Sequence, residues 1–152
     1  MEEHFDPATG EIITGGSQRE QIPKIQIPGG HCNIASEWLI ELADDPEWTG
    51  GEVKVIARLL GMMRYESVLL VKSAYVAKKM GRHRSGVSRT FTKLMQHGII
   101  HKIEDVDDAY VFDPYKAWRG DSLSHLRVAL AIDRKNWDEI IKNGNMARRI
   151  EA

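Results

Sequence analysis

The chain has 152 residues, of which 42% are hydrophobic and 28% charged, with 21 Lys+Arg against 22 Asp+Glu. The length suits one domain, or one small domain with appended arms, and the proportions are those of an ordinary globular chain, which argues against a mostly disordered or collagen-like polymer. No apolar run approaches the roughly 18 residues that span a bilayer, and the acidic start Met1-Glu2-Glu3-His4-Phe5-Asp6 lacks the apolar core of a secretory signal. The single cysteine, Cys32, can form neither an internal disulfide nor a multi-thiolate zinc site. A soluble cytoplasmic protein with no membrane partner is expected.

Residues 1–48 read as an N-terminal arm, partly extended or flexible. Asp6-Pro7-Ala8-Thr9-Gly10 is a turn signal, Glu11-Ile12-Ile13-Thr14 is a short β-like run, and Gly15, Gly16 and Ser17 form a linker. Pro23, Pro28, Gly29 and Gly30 hold the segment around Ile25 and Ile27 extended. Ile34, Trp38 and Leu42 recur at helical spacing, predicting a short helix over 34–42 that Asp44-Asp45-Pro46 ends.

The strongest patterning begins near residue 50. Val53, Ile56, Ala57, Leu60 and Met63 predict a helix over about 51–65, and Val68-Leu69-Leu70-Val71 a buried strand. Ser73 is placed as the N-cap of a helix carrying Val76, Ala77 and Met80, with Gly81 as its C-terminal glycine. Ser85 is placed as the cap of a second helix with a core face of Val87, Phe91, Leu94 and Met95, ended by Gly98. Ile99, Ile100 and Ile103 then read as a strand, Glu104-Asp105-Val106-Asp107-Asp108 as a turn and Tyr110-Val111-Phe112 as the returning strand. This order is that of a winged helix-turn-helix. Tyr115 to Gly120 reads as one short helical turn, and residues 122–142 as helical with an interruption at Asp133. The predicted fold is mainly α with a small β-hairpin wing. Its divisions are an arm at 1–48, a winged helix-turn-helix domain at 49–120 and a C-terminal helical segment at 121–152.

Charge is unevenly spread. Residues 67–103 contain no Asp or Glu and hold eight Lys or Arg, leaving 13 cations against 22 anions in the rest of the chain. One face built for a polyanion follows from that segregation, and the predicted partner is double-stranded DNA. In a helix-turn-helix the second helix enters the major groove. Opposite its apolar stripe stand Arg84, Ser85, Ser88 and Arg89, the candidates for reading base edges. Lys72, Ser73, Lys78, Lys79, Arg82, Thr92 and Lys93 are the candidates for phosphate contact. The predicted wing argues the other way. Four carboxylates in five residues would be repelled by phosphate, so the wing is expected to point away from DNA or to contact protein.

The chain resembles the plasmid replication protein family RepL, a winged-helix group. The resemblance rests on residues 73–120, about a third of the chain. It runs through the helix pair ending in Ser88-Arg89-Thr90-Phe91-Thr92-Lys93-Leu94-Met95-Gln96-His97-Gly98-Ile99-Ile100. It continues in Tyr110-Val111-Phe112-Asp113-Pro114-Tyr115-Lys116-Ala117-Trp118-Arg119-Gly120, which is similar to the family's strand-Asn-Pro-x-x-x-Trp-x-Gly ending. The chain departs from that pattern in having Asp113 in place of Asn and in its acidic wing. The resemblance implies origin binding for plasmid or phage replication, with host replication proteins as partners. A transcriptional repressor, or a protein-interaction module using the acidic wing, are the other readings of the same pattern.

No enzyme activity, cofactor or metal is expected. The His-hydrophobic-His pair of a rolling-circle initiator does not occur, Arg82-His83-Arg84 being the nearest triplet, and there is no phosphate-binding Gly-Lys loop. His97 and His101 stand four apart, but Gly98 breaks the helix between them. Leu123, Leu126, Leu130 and Trp137 form a stripe with two readings: a homodimer interface or a cover for the domain's own core.

Overall fold

The computed structural model describes residues 25–143 together with the backbone at 3–5 and 12–14. The chain divides into two compact units, Met1–His31 and Cys32–Ala152. In the first, β1 (Glu3–Phe5) pairs antiparallel with β2 (Ile12–Thr14), His4 opposite Ile13. Within the predicted β-like run at 11–14, Ile12–Thr14 are therefore strand, and Glu11 lies outside the described residues. The turn and linker readings at 6–10 and 15–17 lie outside the described residues.

The second unit begins with β3 (Asn33–Ile34), α1 (Ser36–Asp44) and α2 (Gly50–Met62). Thr49 caps α2 through a capping box: its hydroxyl accepts from Glu52 N at 3.2 Å, and its own N–H donates to Glu52 Oε1 at 2.9 Å. A 3₁₀ turn at Tyr65–Ser67 leads into β4 (Val68–Leu70). Two helices follow, α3 (Ser73–Met80) and α4 (Arg84–Gln96). Then come β5 (Ile100–Lys102), β6 (Ala109–Phe112) and the short β7 (Ala117–Trp118). α5 (Ser122–Asp133) and α6 (Trp137–Asn143) complete it.

The element order from α2 to β6 matches the predicted order. α3 and α4 end in the same way. Gly81 (φ 62°) and Gly98 (φ 67°) adopt the left-handed conformation. The following residues close back on the helix, Arg82 N on Ala77 O and Ile99 N on Leu94 O, each at 2.9 Å.

β4, β6 and β5 form one antiparallel sheet in that order, and the central strand β6 is buried along its whole length. Both faces are covered. Leu69, Ile100, Tyr110 and Phe112 belong to a core shared with Leu42, Val55, Ile56, Leu59, Val76, Phe91 and Leu94 from α1–α4. Val68, Ala109 and Val111 point the other way, into a second core with Ile103, Trp118, Val128, Ala131, Ile132 and Ile140. Double coverage explains the unbroken apolar runs in β4 and β6, since a sheet with one wet face alternates.

The second compact unit starts at Cys32, where β3 pairs with β7 and α1 lends Leu42 to the first core. α5 and α6 wall the second core. Residues 117–118 form a strand where a helical turn was predicted; Asn33 and Ile34 supply its partner edge from over 80 residues away. The 122–142 helix is two helices, broken where Lys135 takes φ 53°.

Candidate nucleic-acid interface

α4 buries Val87, Thr90, Phe91 and Leu94 and leaves Arg84, Ser85, Ser88, Arg89, Thr92 and Gln96 exposed. The structure thus brings all four candidate base-reading residues onto one outward face over the first two turns of the helix. Phe91 meets Tyr110 edge-on at 5.6 Å, and Leu94 is fully buried, so the rotation of α4 about its axis is set by the core.

Neither predicted serine cap forms. Ser73 and Ser85 are helical residues, the N-cap positions are Lys72 and His83, and neither side chain makes a capping bond. The first-turn N–H groups of both helices therefore have no capping side chain, and the positive dipole end of each lies beside a basic residue.

The phosphate candidates divide. Lys72, Lys78, Lys79 and Arg82 are exposed, and among the described residues they form no ion pair. Lys79 lies 5.6 Å from the ring centre of Tyr75, which is 48% exposed on the same helix. The Arg82 guanidinium lies directly over Gly51, where a side chain would collide with it. It helps line a cavity of about 560 Å³ between the α2 N-terminus and α4, together with Thr49, Glu52, His83, Arg89 and Lys93.

Lys93 is engaged inside the protein. Its ammonium meets Glu52 Oε1 at 3.0 Å and the Glu47 carbonyl at 2.6 Å, and it stands 4.4 Å over the Trp48 ring. Glu52 is pulled below the ordinary carboxylate range: partial burial acts upward, but the Thr49 backbone N–H and Lys93 outweigh it. The Thr92 hydroxyl donates to the Ser88 carbonyl at 3.2 Å. Lys102, the last cation of the acid-free stretch, is held at the Ile103 and Val106 carbonyls at 3.2 and 2.5 Å.

Tyr75 and His83 were not singled out from the sequence. An exposed aromatic on an otherwise basic helix is the signal for Tyr75. Nothing in the sequence marks His83 as an N-cap.

The acidic turn between β5 and β6 has tight backbone, with Asp105 at φ 65° and Asp108 at φ 54°. Glu104 and Asp105 share a cavity of about 290 Å³ with Lys135 to Asp138 of the α5–α6 junction. Among the described residues no group of three or more His, Cys, Asp or Glu converges to hold a metal ion.

Residues 110–120, the second stretch of the resemblance, pack elsewhere. Asp113, 6% exposed, accepts from His101 Nε2 at 3.0 Å and Lys116 Nζ at 2.9 Å. Trp118 stacks on His125 at 4.5 Å and donates to the Asp121 carbonyl at 3.1 Å. Gly120 lies so close to the Trp118 ring that a Cβ would stand 2.9 Å from it. Across the corner, Arg127 meets the buried Glu66 at 2.6 Å. These contacts close the second core rather than build the basic face. No family model, curated protein or solved structure matches this chain.

Proposed function

We propose that the chain is a sequence-specific double-stranded DNA-binding protein of winged-helix type that acts by origin binding in plasmid or phage replication. The observation that carries the DNA reading is the outward face of α4. There Arg84, Ser85, Ser88 and Arg89 stand exposed opposite the buried stripe, inside a 37-residue stretch without a carboxylate. An exposed face normally mixes both signs of charge; this one carries one sign. Arg84 and Arg89 can each bond bidentately to guanine O6 and N7, with Ser85 and Ser88 taking base or phosphate. Lys72 and Ser73 at the start of α3, with Lys78, Lys79, Arg82 and Thr92, are the proposed backbone contacts. Lys93 is left out, its ammonium being held by Glu47 and Glu52. The replication role rests on the resemblance to RepL alone, and a repressor would use the same chemistry at DNA.

The test is binding of the purified chain to a duplex from its own gene neighbourhood, with excess non-specific competitor, at two salt concentrations. Binding that survives competitor and weakens with salt is expected. Arg84→Ala and Arg89→Ala should each cost about 1–3 kcal/mol at the cognate site and relax its specificity. Unchanged affinity in the double variant would remove α4 as the reading helix. A plasmid-maintenance assay then separates replication from repression. The specific observation behind a second reading, a protein-docking module, is the exposed acidic turn at Glu104, Asp105 and Asp107; it gains if the wild-type chain shows no binding above competitor.

A further inference from the structure

α5 buries one face and leaves an apolar one outside. Val128, Ala131 and Ile132 pack inward, while Leu123, Leu126 and Leu130 are 80%, 60% and 40% exposed. Their 3–4 spacing is that of a short coiled-coil seam. The second of the two readings of this stripe, a cover for the domain's own core, therefore fails for the three leucines. Trp137 does pack against the second core.

We infer that this face is where a second copy of the chain docks, antiparallel, α5 on α5. Three features point to a second copy rather than to a charged partner. First, the face carries no free formal charge over the span of the three leucines, and at the next seam position the Asp133 carboxylate accepts from the Tyr115 hydroxyl at 2.9 Å. Between Ser122 and Ile132 the only charged residue is Arg127, and its guanidinium is turned to Glu66 at 2.6 Å and the Glu139 carbonyl at 3.3 Å. A neutral face meets itself without like-charge repulsion, and it offers nothing to steer a polyanion.

Second, a ridge and a hollow lie on the same helix. Beside the leucine ridge is an open cavity of about 400 Å³ lined by Pro114, Tyr115, Ser122, His125, Leu126 and Ala129. A two-fold contact requires both halves on one surface, each copy's ridge entering the other's hollow.

Third, the antiparallel register pairs charges at the ends. At about 1.5 Å rise per residue, setting Leu123 against the second copy's Leu130 brings Asp121 within reach of its Arg134. Both are exposed, and Arg134 has no ion pair among the described residues. The opposed helix dipoles favour the same arrangement.

A contact one short helix long, about 18 Å, is small beside the roughly 800 Å² per partner of a standard interface. The dimer is therefore weak and concentration-dependent. The proposal does not depend on α4 reading DNA. If both hold, two reading helices meet two half-sites of a palindrome.

Sedimentation equilibrium of the full chain without DNA, from low micromolar to several hundred micromolar, tests it. The weight-average mass should rise from that of one chain toward that of two. Leu126→Asp should abolish the rise while leaving the circular dichroism melt of the monomer unchanged, because the side chain is exposed. Arg134→Glu should weaken the dimer severalfold. A wild-type mass of one chain throughout overturns the proposal and leaves the face to a different protein. A dimer that survives Leu126→Asp places the interface elsewhere, and one indifferent to Arg134→Glu overturns the antiparallel register.

Discussion

Asp113 shows how one residue in the motif is tied into the fold. Burial alone would raise its carboxyl, but the hydrogen bonds and positive charge of His101 and Lys116 outweigh it and hold the group below its usual value of 3.8. The carboxylate only accepts, so His101 donates from Nε2. The denatured chain, with the ordinary carboxyl, takes up its proton before the folded chain does. The stability from this group is therefore full above about pH 4 and is lost as pH falls through the depressed folded-state value. Asp121 acts in the same direction. The Ser124 N–H and the Tyr65 hydroxyl bring it to about 2, so its acid limb lies between 3.8 and about 2. Asp113→Asn should lower the urea midpoint at neutral pH by the equivalent of about 1–3 kcal/mol and flatten the decline below pH 4. An unchanged acid limb would mean that other carboxylates dominate it.

Among the elements, α4 is held unequally along its length. Its N-terminal half is free to meet a ligand, and its C-terminal half is clasped. Lys93 reaches across to Glu47, Trp48 and Glu52, while His97 packs edge-on against Trp48 at 4.9 Å and lies 3.5 Å from Glu47. Lys93→Ala should therefore lower stability by about 1–2 kcal/mol and leave the salt dependence of DNA binding unchanged. Lys78→Ala should do the reverse, lowering the magnitude of the salt slope by about one with no change in melting. Anisotropy titrations and urea denaturation of the two variants separate the roles. The acidic turn forms a third case. Lys102 pins it from within, at the Val106 carbonyl, and it borders the α5–α6 junction. Asp107→Asn with Asp108→Asn should leave DNA affinity unchanged or raise it; a large loss would place the turn at the DNA.

Over the whole molecule, charge is segregated rather than excessive. The net charge is −1, yet one stretch of 37 residues carries all of its charge as cation. With Lys72, Lys78, Lys79 and Arg82 as the backbone contacts, the slope of log affinity on log salt should be about −3 to −4; a slope near zero would sink the electrostatic account. The legible part of this architecture is local. Periodicity located α2, α3 and α4, the two glycines marked the ends of α3 and α4, and the absence of carboxylates marked the basic stretch. Each is a property of neighbours in the chain, set by the 3.6-residue period, by left-handed backbone and by composition. The capping box Thr49-Gly50-Gly51-Glu52 was equally local and readable as a helix start. What the tertiary structure decided is long-range. β7 exists because Asn33 and Ile34 offer it an edge. Lys93 is an internal clasp because α2 begins beside it. α5 turns Val128, Ala131 and Ile132 toward the second face of the sheet and leaves its three leucines outside, a choice made where β4, β6 and α6 meet it. Amphipathic spacing says that a helix has an apolar stripe; which neighbour covers that stripe is settled only where distant segments meet, because burial is a property of the packed chain and not of the helix.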